Sequence, residues 1–391
     1  MGVYNEERLR LHIPPISDVD PEDFVVSDPR KISWNRSLLR RLASNRELVF
    51  DPEALRKSYY RPFTPQWLYF DRSMVSDIGK MPRFFPEKEA SNRIIVLKMR
   101  WSGDGQIASM ADHVTELQSD GGTQCFPRYI YGAADELNHD PSQGELLASA
   151  SAGQLTRRDA ITDGGLKHFA DAYPGEPITK DDVFYYVYGL LHSEEYRERY
   201  ADNLTKQLPR IPLMKRVEDF RAFVEAGRRL GDLHVNFESA ELYPVTIKEG
   251  DLRLADIPDP VSYYRVEKMK FGGKRPNLDK TTVVYNPRIT ITGIPLEAYD
   301  YVVNGKPALE WVMERQCVKT DPASGIVNDA NRYAIETVGD PAYPFKLFCR
   351  IITVSLETMR IVRGLPGLDI REPEATAGDT EAKRPTMEPA S

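Results

Sequence analysis

The chain has 391 residues, 52 Lys and Arg against 59 Asp and Glu for a formal net charge of −7, and 41% apolar residues. A chain of this length buries about three quarters of its surface on folding, so its length and composition exclude a wholly disordered polymer and a fold dependent on disulfide or metal staples. Three scattered cysteines without a CxxC pair, a longest apolar run of nine residues (Val183–Leu191) and a charged start, MGVYNEERLRLHIPP, exclude a zinc knuckle, a membrane-spanning helix and secretion, and point to a cytoplasmic protein.

In chain order, residues 1–29 hold seven acids and two bases and read as an acidic lead-in. Residues 33–44 read as a helix, with Ser33 as N-cap and Leu38, Leu39 and Leu42 at helical spacing. The stretch around it, 30–61, carries nine bases against three acids. Over Tyr59–Arg72, Pro62 and Pro65 forbid a continuous helix, and the aromatics around Arg61 predict a buried, irregular anchor with extended backbone. RIIVLKMRW (93–101) is strand-like, a Ser-Gly-Asp-Gly turn follows, and 125–131 is a further strand. Residues 132–160 are polar and weakly patterned, as in a loop or lobe boundary.

The second half opens with a helix at 162–173 and another at 180–192, the latter started by a capping box over Thr179–Asp182 and carrying an apolar face of Val183, Phe184, Val187, Tyr188 and Leu191. Helices at 194–204 and 217–230, the last ending at Gly231, share a span (197–229) with nine bases and five acids. From 243 to 292 the pattern is strand and turn, with hairpins expected at 245–254 and 281–294. A helix at 307–316 has Pro307 in its first turn, and the final helix covers 344–363. Residues 367–391 have the composition of a disordered acidic tail. The expected fold is α+β and two-lobed, with mixed and antiparallel strands and a helical layer: a strand-bearing lobe over 30–160 and a helix-plus-strand lobe over 161–366.

The net charge alone argues against a nucleic-acid partner, but its distribution reverses that. The acidic ends leave a nearly neutral core in which bases gather in three segments. One of them, 265–288, has seven bases and two acids interrupted by Phe271 and Tyr285 around a Gly-Gly-Lys-Arg-Pro-Asn turn. Basic side chains on a strand-and-loop element suit phosphates and base edges. Arg and Lys can pair with guanine and Asn with adenine, which makes Lys274, Arg275 and Asn277 the base-reading candidates. Lys268, Lys270, Lys280 and Arg288, with Arg30, Lys31 and Arg36 from the first basic segment, are the candidates for phosphate contacts.

No complete catalytic set is present. WSGDGQIA (101–108) matches both a GxGxxA dinucleotide loop and the aromatic-x-Gly-x-Gly loop of S-adenosylmethionine sites, which leaves a divergent methyltransferase as the alternative function. Its necessary companion, an Asn-Pro-Pro-aromatic loop, has only Asn286-Pro287-Arg288-Ile289 as a near match, so a hairpin turn is the better account. The acidic-x-Lys string at 379–383 falls in the tail. Six histidines show no HxxxH or HxH spacing for a metal, and His192 at a helix end reads as a partner of the helix dipole.

Five strings carry a resemblance: YRPFTPQWLYFDR (60–72), CFPRYIYG (125–132), ITKDDVFYYVYGLLHSEEYRERYADNLTKQLPRIP (178–212), VVNGKPALEWVMERQCVKTDPASGIVNDAN (302–331) and ITVSLETMRIVRGLP (352–366). They resemble the C-terminal specificity region of type ISP restriction-modification enzymes, single polypeptides that join a nuclease, a helicase-like ATPase, a coupler, an N6-adenine methyltransferase and a target recognition domain. The resemblance implies a non-enzymatic target recognition domain that binds duplex DNA beside a methyltransferase domain of the same polypeptide, as a monomer. S-adenosylmethionine, ATP and Mg would belong to modules absent from this chain, which reads as a fragment or truncated gene. Tyr60, Arg61, Pro62, Phe63, Trp67 and Trp311 within these strings are expected to serve the scaffold. A structural coupler that grips the methyltransferase domain and touches DNA only weakly is a further reading.

Overall fold

A computed structural model of the chain describes residues 25, 26, 28 and 34–371, apart from 45, 76, 100, 102, 117–121, 133–154 and 251–256. Most of the acidic lead-in, Arg30, Lys31, most of the loop expected at 132–160 and the tail from residue 372 therefore lie outside the described residues. Helix α1 (Arg36–Ala43) starts later than its sequence suggests, because Asn35 and not Ser33 is the N-cap: its side chain accepts from the Leu38 amide at 2.9 Å. Leu38 and Leu42 are its buried residues.

The aromatic segment is regular, contrary to expectation. Strands β1 (Leu55–Arg61) and β2 (Thr64–Tyr69) form an antiparallel hairpin. Pro62 falls in the turn, and Pro65 sits on β2, the edge of a three-stranded sheet, where a missing amide donor is tolerated. Trp67 is 48% exposed, so the hairpin is not buried throughout.

Strand β3 (Ile94–Lys98) is the centre of a second antiparallel sheet, between β4 (Ala108–Ala111) and β6 (Thr123–Pro127), while the short β5 (Val114–Thr115) pairs in parallel with β1. Both faces of β3 are covered. Ile94 and Val96 pack on Phe84, Phe85 and Val114, while Ile95 and Leu97 face the helices that follow. Period-two alternation with two apolar partners explains why this strand reads as an unbroken apolar run. A two-stranded ribbon, β7 (Tyr129–Gly132) with β8 (Thr156–Asp159), leads to the helical layer.

That layer comprises α2 (Asp163–Ala172), α3 (Lys180–His192) and α4 (Val217–Val235). The capping box of α3 forms as read, with Thr179 and Asp182 satisfying each other's backbone amides. Residues 194–204 make two short turns of helix, Glu194–Arg199 and Ala201–Leu204, in place of one helix. α3 and α4 cross with backbones in contact: a Cβ on Gly189 would overlap the Phe223 carbonyl, and one on Gly227 the Tyr185 carbonyl. Gly231 does not end α4, as expected, but lies inside it against Met110 of β4, where a side chain would crowd the methionine sulfur. His192 is fully buried, bonded through Nδ1 to the Tyr188 carbonyl, and burial pushes its pKa down to about 4, so it is neutral and does not act as the cationic dipole partner expected from sequence. His234 on α4 bonds to Tyr188 on α3 at 2.7 Å and to Thr358 at 2.9 Å.

The last third builds a sheet of order β10–β11–β12–β9 from β9 (Thr246–Ile247), β10 (Lys270–Lys274), β11 (Asn277–Asn286) and β12 (Ile289–Thr292). The hairpin expected at 281–294 is β11–β12. The one expected at 245–254 does not form among the described residues, because β9 pairs with β12 instead. Two small hairpins, β13 (Val302–Val303) with β14 (Lys306–Pro307) and β15 (Val318–Thr320) with β16 (Val327–Asp329), flank α5 (Ala308–Arg315), for which Pro307 is the N-cap. Val283, Tyr285, Ile289 and Ile291 pack with Leu347, Phe348, Ile351 and Ile352 of α6 (Tyr343–Arg363) in one core. Residues 367–371, assigned by composition to the tail, are packed: Leu368 and Ile370 join the helical core, and Lys215 pairs with Asp369 at 2.7 Å. The architecture is α+β with a helical layer, as read.

Candidate nucleic-acid interface

The segment 265–288 folds as the β10–β11 hairpin, with the residues leading into β10 and the turn that precedes β12. Lys274 and Asn277 are its last paired residues, and Arg275 and Pro276 close the turn. Gly272 and Gly273 permit this tip. The register jumps between Phe271 and Gly272, a Cβ on Gly272 would press on Thr282, and Gly273 adopts φ 73° with the Asn277 carbonyl close by. Asp279 braces the returning strand by accepting from the Thr281 amide at 2.9 Å and its hydroxyl at 2.6 Å, and the Thr281 and Thr282 hydroxyls hold its carboxyl below the usual range.

The three base-reading candidates, Lys274, Arg275 and Asn277, are all exposed at this tip, and Lys268, Lys270 and Arg288 are exposed along its root. Lys268, Lys270, Lys274 and Arg275 have no ion-pair partner among the described residues. Arg288 reaches only the Ser262 hydroxyl, at 3.3 Å. Lys280 is placed differently: it is half-buried, paired with Glu310 at 3.0 Å and set against the rings of Phe271 and Tyr299. Arg36 is exposed at the first turn of α1, and Arg30 and Lys31 fall outside the described residues.

In the other basic segment of the second half, 197–229, three arginines spend their charge internally. Arg197 is 8% exposed and donates to Gln106 Oε1 at 2.7 Å and to the His192 carbonyl at 2.8 Å. Arg221 and Arg228 meet Asp182 at 3.2 and 2.9 Å, and Arg228 also pairs with Asp181. Burial works against the Asp182 carboxylate, yet the Thr179 amide and hydroxyl together with Arg228 and Arg221 hold its pKa below the ordinary value. Arg93 and Arg128 join Arg228 around Tyr185 in a cleft of about 470 Å³, but Asp232 and Asp181 neutralise them there.

The scaffold residues behave as joints. Phe63 holds φ 55° in the β1–β2 turn, a conformation uncommon outside glycine, and its ring inserts between Phe237 and Tyr301 of the C-terminal core. Arg61 pairs with Glu116 and donates to the Tyr60 carbonyl at 2.7 Å. Trp311 donates to the Val303 carbonyl at 2.8 Å, under Lys306.

The glycine-rich string at 101–105 connects β3 to the antiparallel β4 and opens no helix, whereas a dinucleotide loop leads into a helix N-terminus. Gly105, at φ 70°, lets Val302 approach: any Cβ there would collide with the Val302 carbonyl, and the Gln106 amide donates to that oxygen at 2.8 Å. Trp101 closes the turn by donating to the Gly105 carbonyl at 3.1 Å. Among the described residues no group of three or more His, Cys, Asp or Glu could hold a metal ion, and no helix is long and apolar enough to cross a membrane.

One exposed element lies within a family string (302–331) but was not among the DNA-contact candidates read from sequence. Lys319 and Asn328 face each other across β15–β16, with Ile326 and Val327 exposed beside them. A count of bases per segment passes over this hairpin because it holds a single lysine.

Residues 2–347 match the family model described as the type ISP C-terminal specificity domain. Among solved structures, the chain is 31% identical, with a TM-score of 0.74 over 95% of its length, to the ATP-dependent type ISP restriction-modification enzyme LlaBIII bound to DNA. It is 34% identical (TM-score 0.73 over 94%) to a nuclease-deletion mutant of the type ISP enzyme LlaGI in complex with a DNA substrate mimic. It is 28% identical (TM-score 0.73 over 93%) to DrdV in a DNA complex. The chain spans only 21%, 30% and 33% of those three chains, respectively. No curated protein matches it.

Proposed function

The chain belongs to the type ISP C-terminal specificity domain family, and from that membership we propose that it recognises a short sequence in duplex DNA on behalf of an N6-adenine methyltransferase and an ATP-dependent restriction machinery carried by other modules. The observation that carries this reading is the β10–β11 tip, where Lys274 and Arg275 stand exposed without an ion-pair partner among the described residues, beside Asn277. Unpaired cations on a projecting hairpin have the chemistry to meet phosphates and guanine edges, and the adjoining amide that to meet adenine. The DNA present in the related structures supports the same partner.

In this reading Lys274, Arg275 and Asn277 read bases, while Lys268, Lys270, Arg288, Arg36, Arg30 and Lys31 contact phosphates. Lys280 orients the hairpin through Glu310. The part up to residue 160 and the recognition lobe from 161 to 366 share the core beneath β3, which supports reading them as lobes of one packed unit beside the methyltransferase domain. A role on DNA is consistent with the cytoplasmic location expected from the sequence.

The test is binding of the chain to fluorescent duplexes from a pool with a randomised centre, over a series of salt concentrations. Affinity should fall steeply with salt, Lys268→Ala with Lys270→Ala should flatten that dependence by about one unit of slope per lost phosphate contact, and Lys274→Ala with Arg275→Ala should relax the sequence selected from the pool. Binding that is absent, or insensitive to salt, would contradict the proposal.

A further inference from the structure

The β15–β16 hairpin is displayed more than its own folding requires. Its tip is braced from within. Asp321 Oδ1 accepts from the amides of Ala323 and Ser324 at 3.1 and 2.7 Å and from the Ser324 hydroxyl at 2.8 Å, and the Asp321 amide donates back to the Ile326 carbonyl at 2.9 Å. Gly325, at φ 67°, completes the turn. On this rigid tip two consecutive branched apolar residues, Ile326 and Val327, are 57% and 54% exposed. Apolar residues scattered singly over a surface need no explanation, but an adjacent pair on a braced tip marks a contact surface.

The surroundings of the tip identify the partner. The Val318 amide donates to the Glu267 carbonyl at 3.0 Å, and Asn331 just beyond β16 exchanges two 2.8 Å hydrogen bonds with the Val266 backbone, so this hairpin is fastened to the root of the β10–β11 hairpin. Lys268 and Lys319, both exposed and without an ion-pair partner among the described residues, lie near Cys317 just before β15, while Asp321 turns its carboxylate onto the amides of its own tip and Asp329 meets Arg265 at 3.7 Å. Apolar side chains beside two unpaired lysines, continuous with an exposed basic hairpin, are complementary to a polyanion that also offers apolar groups. In duplex DNA the thymine methyl is that group, and it lies in the major groove.

Resting on the DNA-recognition reading above, we propose that β15–β16 is a second reading element, in which Ile326 and Val327 contact a thymine methyl while Lys319 and Asn328 engage the flanking phosphate and base edge. The two hairpins then read neighbouring parts of one site from a shared root.

Deoxyuridine substitution tests this contact, since it removes only the methyl. Duplexes enriched by the wild-type chain from a randomised pool are resynthesised with each thymine replaced in turn. Replacement at one position should weaken wild-type binding about fourfold, the worth of burying one methyl group. The same replacement should leave the Ile326→Ala, Val327→Ala double variant unaffected, and Leu296→Ala, an exposed residue outside both hairpins, should keep the wild-type response. Insensitivity of the wild type at every thymine, or undiminished sensitivity in the double variant, overturns this inference while leaving DNA recognition in place. Absence of any duplex binding by the wild type removes the underlying reading and this inference with it. Both substituted side chains are largely exposed, and an unchanged thermal midpoint confirms that the variant folds.

Discussion

Segments 197–229 and 265–288 carry similar excesses of positive charge, nine bases against five acids and seven against two, yet three arginines of the first and the tip cations of the second are used in opposite ways. In the first, Arg197, Arg221 and Arg228 are turned inward onto Gln106, Asp181, Asp182 and a backbone carbonyl, and they join helices to one another. In the second, Lys268, Lys270, Lys274 and Arg275 project from a hairpin with no acid opposite them among the described residues. Charge along a segment therefore says little about charge offered to a partner. What decides is whether the fold brings a carboxylate or carbonyl within reach.

The comparison breaks most severely at the helix crossing inside the first segment. Gly227→Ala would push a methyl into the Tyr185 carbonyl, where backbone cannot yield, and should cost about 3 kcal/mol or more, read as a lowered urea midpoint. The pH dependence comes next. His192 has a folded pKa of about 4 against 6.5 for the free group, so the unfolded chain binds the proton first. Stability from this group is complete above pH 6.5 and declines as the pH falls toward 4, by about 3 kcal/mol across the window. The buried His234 shifts in the same direction and steepens the decline. A urea midpoint that stays level from pH 7 to 4.5 would contradict this. Segment 265–288 contains no histidine, so below pH 6.5 DNA binding should fall only as the folded fraction falls.

A smaller effect is expected at Arg197. Replacement by Ala leaves Gln106 and the His192 carbonyl without their donor and should cost about 2 kcal/mol in the same assay. The smallest effect on stability sharpens the contrast most. Lys274→Ala with Arg275→Ala should leave the urea midpoint unchanged while weakening duplex binding about tenfold. A destabilised double variant would mean that the hairpin cations serve the fold as Arg197, Arg221 and Arg228 do.

Local signals were legible where the chain decides its own structure. The Thr179–Asp182 capping box marks the start of α3, and the strand–turn–strand pattern of 281–294 marks β11–β12. Signals that depend on distant partners were not. Two prolines argue against regular structure in 59–72 unless one knows that Pro65 falls on an edge strand and Pro62 in a turn. Gly231 looks like a helix stop because Met110, which requires its missing side chain, is more than a hundred positions away. The candidate site was legible as a cluster of bases around a Gly-Gly turn. Its membership was not, since Lys280 meets Glu310 only after folding, and the β15–β16 hairpin lacks the charge density that would draw notice.

The most direct test of the central claim, that the β10–β11 tip selects the DNA sequence, is the adenine methylation pattern of a host carrying the gene that encodes this chain, compared with the same gene bearing Lys274→Ala and Arg275→Ala. The account predicts one short methylated motif for the wild type, and for the variant a motif relaxed at the positions those side chains read or methylation lost from it. An identical motif, methylated to the same extent, would contradict it.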